Sequence, residues 1–248
     1  MPQQIPGPLV YESGKSNSDA RAIFSGMPLD VGQVNPDYNV FFDDFTVLHG
    51  KAMNQTDMYD VVKDAGAGVA IADVLNGIIR LSSTATTDTD GALVQMVNGV
   101  FARTAGKKLW FEASLKVSDI DNEIFIGLAE QVGTNPENVV AATTHRLGIQ
   151  VAAGDTAGLL LASNGDGTTA DTTSLGANMV AATYKKLGFY YDGSTVSFYV
   201  DRTLKLSGVV PRPASGTDLM GLACYSLSGN ATGTHTLDLD YWMIVAER

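Results

Sequence analysis

In KKLWFEASLKVSD, Leu109, Phe111, Ala113, Leu115 and Val117 alternate with Trp110, Glu112, Ser114 and Lys116. A period of two requires an extended chain, because successive side chains of a strand point to opposite faces, whereas a helix would scatter these apolar residues around its circumference. The C-terminal HTLDLDYWMIVAER reads the same way. Leu237, Leu239, Tyr241, Met243 and Val245 fall on one face, with Asp238, Asp240 and Trp242 on the other. Shorter apolar runs occur at 40–47 (VFFDDFTV), 68–72, 77–83, 91–97, 123–129, 145–152, 157–162 and 218–226. Runs of this length, separated by Gly, Asn, Asp and Ser, predict an antiparallel two-sheet sandwich and not a β–α alternation. Only TNPENVVAA (134–142) has a brief helical character, and no internal repeat is evident.

KLGFYYDGSTVSFYVD (186–201) predicts a hairpin. Phe189 and Tyr191 before Asp192-Gly193 match Val196, Phe198 and Val200 after it. Asp-Gly is a strong bend signal because glycine accepts positive φ without steric penalty. Ser194 and Thr195 are also turn formers, so the loop is expected to exceed two residues, and Asp192 is read as a bend and not a catalytic acid.

The chain has 248 residues, 45% of them apolar and 17% charged, enough to build a sizeable core. A net charge of −11 argues against a nucleic-acid partner, which needs clustered Lys and Arg, and against an anionic membrane surface. Cys224 is the one cysteine, so no intrachain disulfide can form. The beginning of the chain lacks the basic start and apolar run of a signal peptide, and no apolar run is long enough to span a bilayer. Synthesis and folding in a cytoplasm are therefore expected.

Residues 1–38 differ from the rest. They hold five of the eight prolines, Pro2, Pro6, Pro8, Pro28 and Pro36, and show no sustained periodicity, which predicts an extended arm. The arm still carries Ile5, Leu9, Val10, Tyr11, Ile23, Phe24, Met27 and Leu29. Such anchors predict docking, either on the chain's own sandwich, which would occupy 39–248, or on a neighbour.

Few residues suggest chemistry. A glycosidase needs two carboxylates flanking the sugar bond, and the nearest acids are Asp119, Asp121 and Glu123. Ser118–Asn122 is turn-like, so these acids are read as a solvated loop. No Gly-x-Ser-x-Gly elbow occurs, His49, His145 and His235 are isolated, and the Gly-Lys-Ser at 14–16 lacks the first P-loop glycine. The Gly-Asp-Gly at 165–167 is followed by DTTSLGAN, which forms no amphipathic helix and is read as loop. Trp110 and Trp242 alternate with charged residues, so each is expected to point away from the main core face; Tyr190 and Tyr199 share the ambiguity. Rings so placed pack under a loop or arm, form a protein interface, or stack on sugar.

YYDG followed by STVSFYVDRTL resembles the hairpin of concanavalin A-like and laminin-G-like jelly rolls. FFDDF and LDLDYWMIVAER resemble the first and last strands of that fold, which usually pair. GKKLWFEASLKVSDID, IFIGLAE and ATYKKLGFYYDG together resemble virion proteins of tailed bacteriophages that carry such a domain. Over residues 39–248 the resemblance implies an all-β, two-sheet antiparallel concanavalin A-like jelly roll behind an extended N-terminal arm, and it supplies no catalytic residues. It further implies a non-enzymatic capsid decoration protein on the outer virion surface. Its expected partners are the major capsid protein and neighbouring copies of itself, most simply as a trimer. A carbohydrate-binding module of a fibre, contacting a host glycan, is the alternative. Relatives of this fold often bind calcium through loop oxygens; the corresponding candidates are Asn164, Asp166 and Asp171. A solvated acidic loop is the preferred reading there, and no cofactor is expected.

Overall fold

The computed structural model describes residues 37–45, 58–73, 77–84, 90–212, 219–229 and 233–248; the arm anchors Ile5, Leu9, Tyr11, Ile23, Phe24 and Met27 lie outside them. Among the described residues fifteen strands form the fold: β1 (Tyr38–Asp43), β2 (Tyr59–Lys63), β3 (Gly68–Asp73), β4 (Ile78–Ser82), β5 (Gly91–Met96), β6 (Leu109–Val117), β7 (Glu123–Ala129), β8 (His145–Val151), β9 (Leu159–Asp166), β10 (Ala170–Asn178), β11 (Lys185–Tyr191), β12 (Val196–Val200), β13 (Thr203–Val209), β14 (Gly221–Leu227) and β15 (Thr236–Glu247). Eight form one antiparallel sheet in the order β13-β12-β11-β6-β15-β4-β3, with β1 also on β15; seven form the other, β10-β9-β8-β7-β14-β5-β2. No described helix is long and apolar enough to cross a membrane.

The core lies between the sheets. Leu81, Phe111, Leu115, Phe189 and Phe198 face it from the eight-stranded sheet, and Val94, Ile126, Leu147, Ile149 and Leu222 from the seven-stranded one, all fully buried. First and last strands pair, with Phe41 opposite Ile244 and Asp43 opposite Trp242. The expected hairpin forms in register: Phe189 opposes Phe198 and Tyr191 opposes Val196. Asp192 is its bend. Its Oδ1 accepts from the Ser194 and Thr195 amides at 2.8 and 2.7 Å, and its own N–H donates to the Thr195 carbonyl. The Thr195 amide, followed by Ser194, lowers the carboxyl's pKa despite partial burial. Gly193 is required, because its φ is +96° and an added Cβ would lie 2.7 Å from Gly106 Cα.

Three strands depart from expectation. β2 is short, β13 has no fully buried residue, neither carries a long apolar run, and DTTSLGAN is strand, not loop. Thr172, Thr173 and Ser174 are exposed on β10, which closes one edge of its sheet, and Leu175 is its one buried residue, too little to produce an alternation. Strand β9 likewise runs through Ser163–Asp166.

The largest correction lies in β15. Leu239 opposes Leu115, but the next pair is Tyr241 with Ser114, so Asp240 is an extra residue in a β-bulge. Alternation slips by one. Leu237 and Leu239 face the core in the first half, then Trp242, Ile244 and Ala246 in the second. Trp242 is thus a core residue, in ring contact with Phe45 and Tyr59 at 5.6 and 5.5 Å. Its indole N–H donates to the Tyr59 hydroxyl, which donates to Asp43.

Candidate functional site

The two outer faces of the sandwich are finished differently. On the seven-stranded sheet a cross-strand row runs Val62, Leu93, Tyr225, Phe125, Gln150, Leu161, Ser174. The connection between β7 and β8, residues 130–144, lies over its middle. The expected helical character appears there as one 3₁₀ turn, Pro136–Val140, which starts with a proline whose missing N–H would have had no helical partner. Val132 and Val139 pack with Leu93, Phe125, Ala223 and Tyr225. The Gln95 side chain accepts from the Val132 amide at 3.0 Å and donates to the Val132 carbonyl. Arg146, buried beneath, donates to the Ala141 carbonyl and to Ser163 Oγ at 2.8 Å. This face is sealed by the chain itself.

Glu123 belongs to it. Read as part of a solvated loop, it instead opens β7, is buried, and accepts from the Tyr225 hydroxyl. Burial raises its pKa; the Tyr225 hydrogen bond opposes that rise, and Glu137 adds to it. Asp119 and Asp121 stay in the preceding turn, where Asp119 Oδ1 accepts from the Asp121 amide at 3.1 Å. The three acids are not carried on one strand face.

The structure does bring together Asn164, Asp166 and Asp171, on the β9–β10 hairpin, but with arginines among them. Arg103 donates to Asn164 Oδ1 at 2.8 Å, and Arg212 pairs with Asp171 and, at 3.6 Å, with Asp166. Asp166 Oδ1 also accepts from the Thr169 and Thr168 amides at 2.7 and 2.9 Å. The Thr169 amide, then the Thr168 hydroxyl and amide, hold its carboxyl well below the ordinary range. A calcium ion needs these oxygens unoccupied; here a guanidinium stands against both acids. Among the described residues no cluster of three or more His, Cys, Asp or Glu could hold a metal.

The eight-stranded sheet presents the other outer face. Trp110 does point out of the main core, as its alternation predicts, yet it is 0% exposed. Tyr190 stacks on it at 5.4 Å, Tyr38 of β1 lies at 6.3 Å, and Val245 packs beside them. Tyr199 is buried and Tyr190 half-buried, and Trp242 lies on the opposite side of the sheet, so the four rings form no open platform. Next to Trp110 on β6, buried Glu112 accepts two hydrogen bonds from Arg202, at 2.9 and 2.8 Å, and one from the Tyr241 hydroxyl at 2.6 Å. The Glu112 contact raises the Arg202 pKa; burial, then the same carboxylate, raises that of Tyr241. Arg202 and Asp201 form the β12–β13 turn with φ of +62° and +51°, an unusual conformation for non-glycine residues. Asp201 is tied to the Lys186 amide and to Lys185 Nζ, both at 3.0 Å.

Beyond Tyr241 this face is open. Phe42 is 56% exposed and Val40 43%, both on β1, and half-buried Tyr241 and Met243 flank them across the β1–β15 pair. Phe42 and Tyr241 have ring centroids 6.0 Å apart. Sequence reading missed this patch because it placed Tyr241 and Met243 with Leu237 and Leu239. The available signal was the pairing of FFDDF with the last strand, combined with the doubled phenylalanine, which must put one ring on each face.

No family model and no curated protein sequence matches the chain. Solved structures match in fold. Peanut lectin is 14% identical, with a TM-score of 0.58 over 84% of this chain and 97% of that one. The β-glucanase of Bacillus licheniformis is 14% identical, with a TM-score of 0.55 over 85% and 99%. The carbohydrate recognition domain of Emp46p is 10% identical, with a TM-score of 0.54 over 77% and 93%. The chain has the concanavalin A-like jelly-roll fold of these proteins.

Proposed function

We propose that this chain is a non-enzymatic structural protein of a tailed-bacteriophage virion, a decoration protein held on the outer capsid surface in many copies, partly through residues 1–38. The observation that carries the reading is the open patch of Val40 and Phe42, on the strand that directly follows the proline-rich segment, with Tyr241 and Met243 on the last strand beside it. Contiguous exposed apolar side chains, as distinct from single ones, are typical of attachment surfaces. Trp110, Trp242 and Tyr199, by contrast, are buried, and the acid-rich stretch at 119–123 divides between a turn and a buried strand start. The net charge of −11 suits an outward-facing protein better than one packed against DNA. The partners in this reading are the major capsid protein and neighbouring copies, with a trimer as the simplest closed arrangement.

The deciding experiment is the copy number of the chain in purified virions, by quantitative mass spectrometry against the major capsid protein. Hundreds of copies are expected, and absence from the particle would sink the proposal. A second reading, a carbohydrate-binding module, draws on the fold likeness to peanut lectin and the Emp46p carbohydrate recognition domain. A handful of copies per particle, together with retention on a glycan array, would put that reading first.

A further inference from the structure

We propose that the patch around β1 and β15 receives the N-terminal segment of a second copy of this chain, so that copies are linked by exchanged arms. This rests on the virion reading and specifies what the arm docks on. Thirty-six residues precede Asp37, and extended they would reach roughly 120 Å, well beyond the sandwich that follows. The start of β1 is pinned to the end of the chain: the Arg248 amide donates to the Asp37 carbonyl at 2.8 Å, and Arg248 Nε to Asn39 Oδ1 at 2.7 Å.

From that anchor β1 runs toward Phe42 and Asp43. Whatever precedes Tyr38 therefore departs from the end opposite Phe42. Pro36 biases Asn35 toward extended conformations and fixes its own φ, so the sequence at the exit favours continuing outward over doubling back. The chain's own arm must reverse direction to cover Phe42, whereas a neighbour's need not. The chemistry matches as well. The segment offers Leu9-Val10-Tyr11 and Ile23-Phe24 to a surface made of Val40, Phe42, Tyr241 and Met243.

The test uses the full chain. One preparation carries Val40→Cys and a second Ile23→Cys or, separately, Leu9→Cys, all with Cys224→Ala. The preparations are mixed and treated with a short bis-maleimide. A covalent heterodimer is expected from at least one mixture and should be lost when Phe42→Asp is added, while the melting temperature of that variant stays unchanged. Cross-linking only within a chain that carries both cysteines would assign the patch to the chain's own arm and overturn the proposal. No cross-link in any pairing would also overturn it. Failure of the virion reading is seen separately, as absence of the chain from purified particles, and does not alter the outcome in solution.

Discussion

The outer face of the seven-stranded sheet and that of the eight-stranded sheet solve one problem in opposite ways. Each carries aromatic rings across its middle. On the first, Phe125 and Tyr225 are sealed by residues 130–144, anchored by Gln95 and Arg146. On the second, Trp110 is covered by Tyr38 and Tyr190, and the row then opens at Phe42. The difference teaches that a sheet face becomes an interaction surface through what the connections leave uncovered, not through its composition. An aromatic row is equally compatible with either outcome.

Substitutions should separate the two faces sharply. Val139→Asp puts a charge into the sealed cluster, where Val139 is fully buried, and should cost about 4 kcal/mol or more in urea unfolding. Gln95→Ala removes both hydrogen bonds to Val132. A loss of about 2 kcal/mol is expected, with faster amide exchange in 130–144 and unchanged exchange in β6 and β11. If exchange rises equally in both sheets, the sealed face is not an independent unit.

On the open side, Glu112→Gln weakens a charge-assisted fork but leaves an Arg202 whose side chain is 35% exposed. About 1–2 kcal/mol should be lost, less than for a fully buried pair. The smallest effect should come from Phe42→Asp, within about 0.5 kcal/mol of the parent in the same assay. A large loss there would mean that the ring packs inward and that the patch is no attachment surface.

Acid should also tell the faces apart. Glu123, on the sealed face, has a raised folded pKa, so its contribution favours the native state at low pH and declines as pH rises from about 4.3 through the raised value. Asp238, on the open face, behaves oppositely. Burial alone would raise its pKa, but Arg80 and Lys116 bring it below the ordinary value. Its contribution is present above about 3.9 and is lost as pH falls through the folded value. Denaturant midpoints across this range should fall less steeply with rising pH in Glu123→Gln, and less steeply toward acid in Asp238→Asn.

The fold was legible because β6, β8 and the β11–β12 hairpin turn an apolar face to the core, which writes a period of two into the chain, while β7, buried on both faces, reads as a short continuous apolar run. β10 was illegible for the converse reason: an edge strand of Thr, Ser and Asp has little buried surface to record. The open patch was illegible for a different reason. Its members sit on two strands far apart in sequence, and the orientation of one of them depends on Asp240. Of the two tryptophans that alternation turns away from the core, Trp242 departs from that reading because of the bulge just before it, whereas Trp110 takes the expected side and is covered there by neighbouring rings. Alternation reports which side of a sheet a residue takes, not whether anything lies on that side.

The bulge in β15 has a further consequence, one of parity. Leu239 and Trp242 are three positions apart along the chain, an odd interval, yet they occupy the same side of the sheet, which an unbroken strand allows only at even intervals. Asp240 is thus a spare letter. Its deletion should make the strand regular and leave Tyr241 facing Glu112 and Trp242 facing the core, so a change of length is tolerated here that elsewhere in a strand would turn a core inside out. Two chains of this kind differing by one residue at this point would encode the same surface, although a comparison of their sequences position by position would score the second half of the strand as inverted.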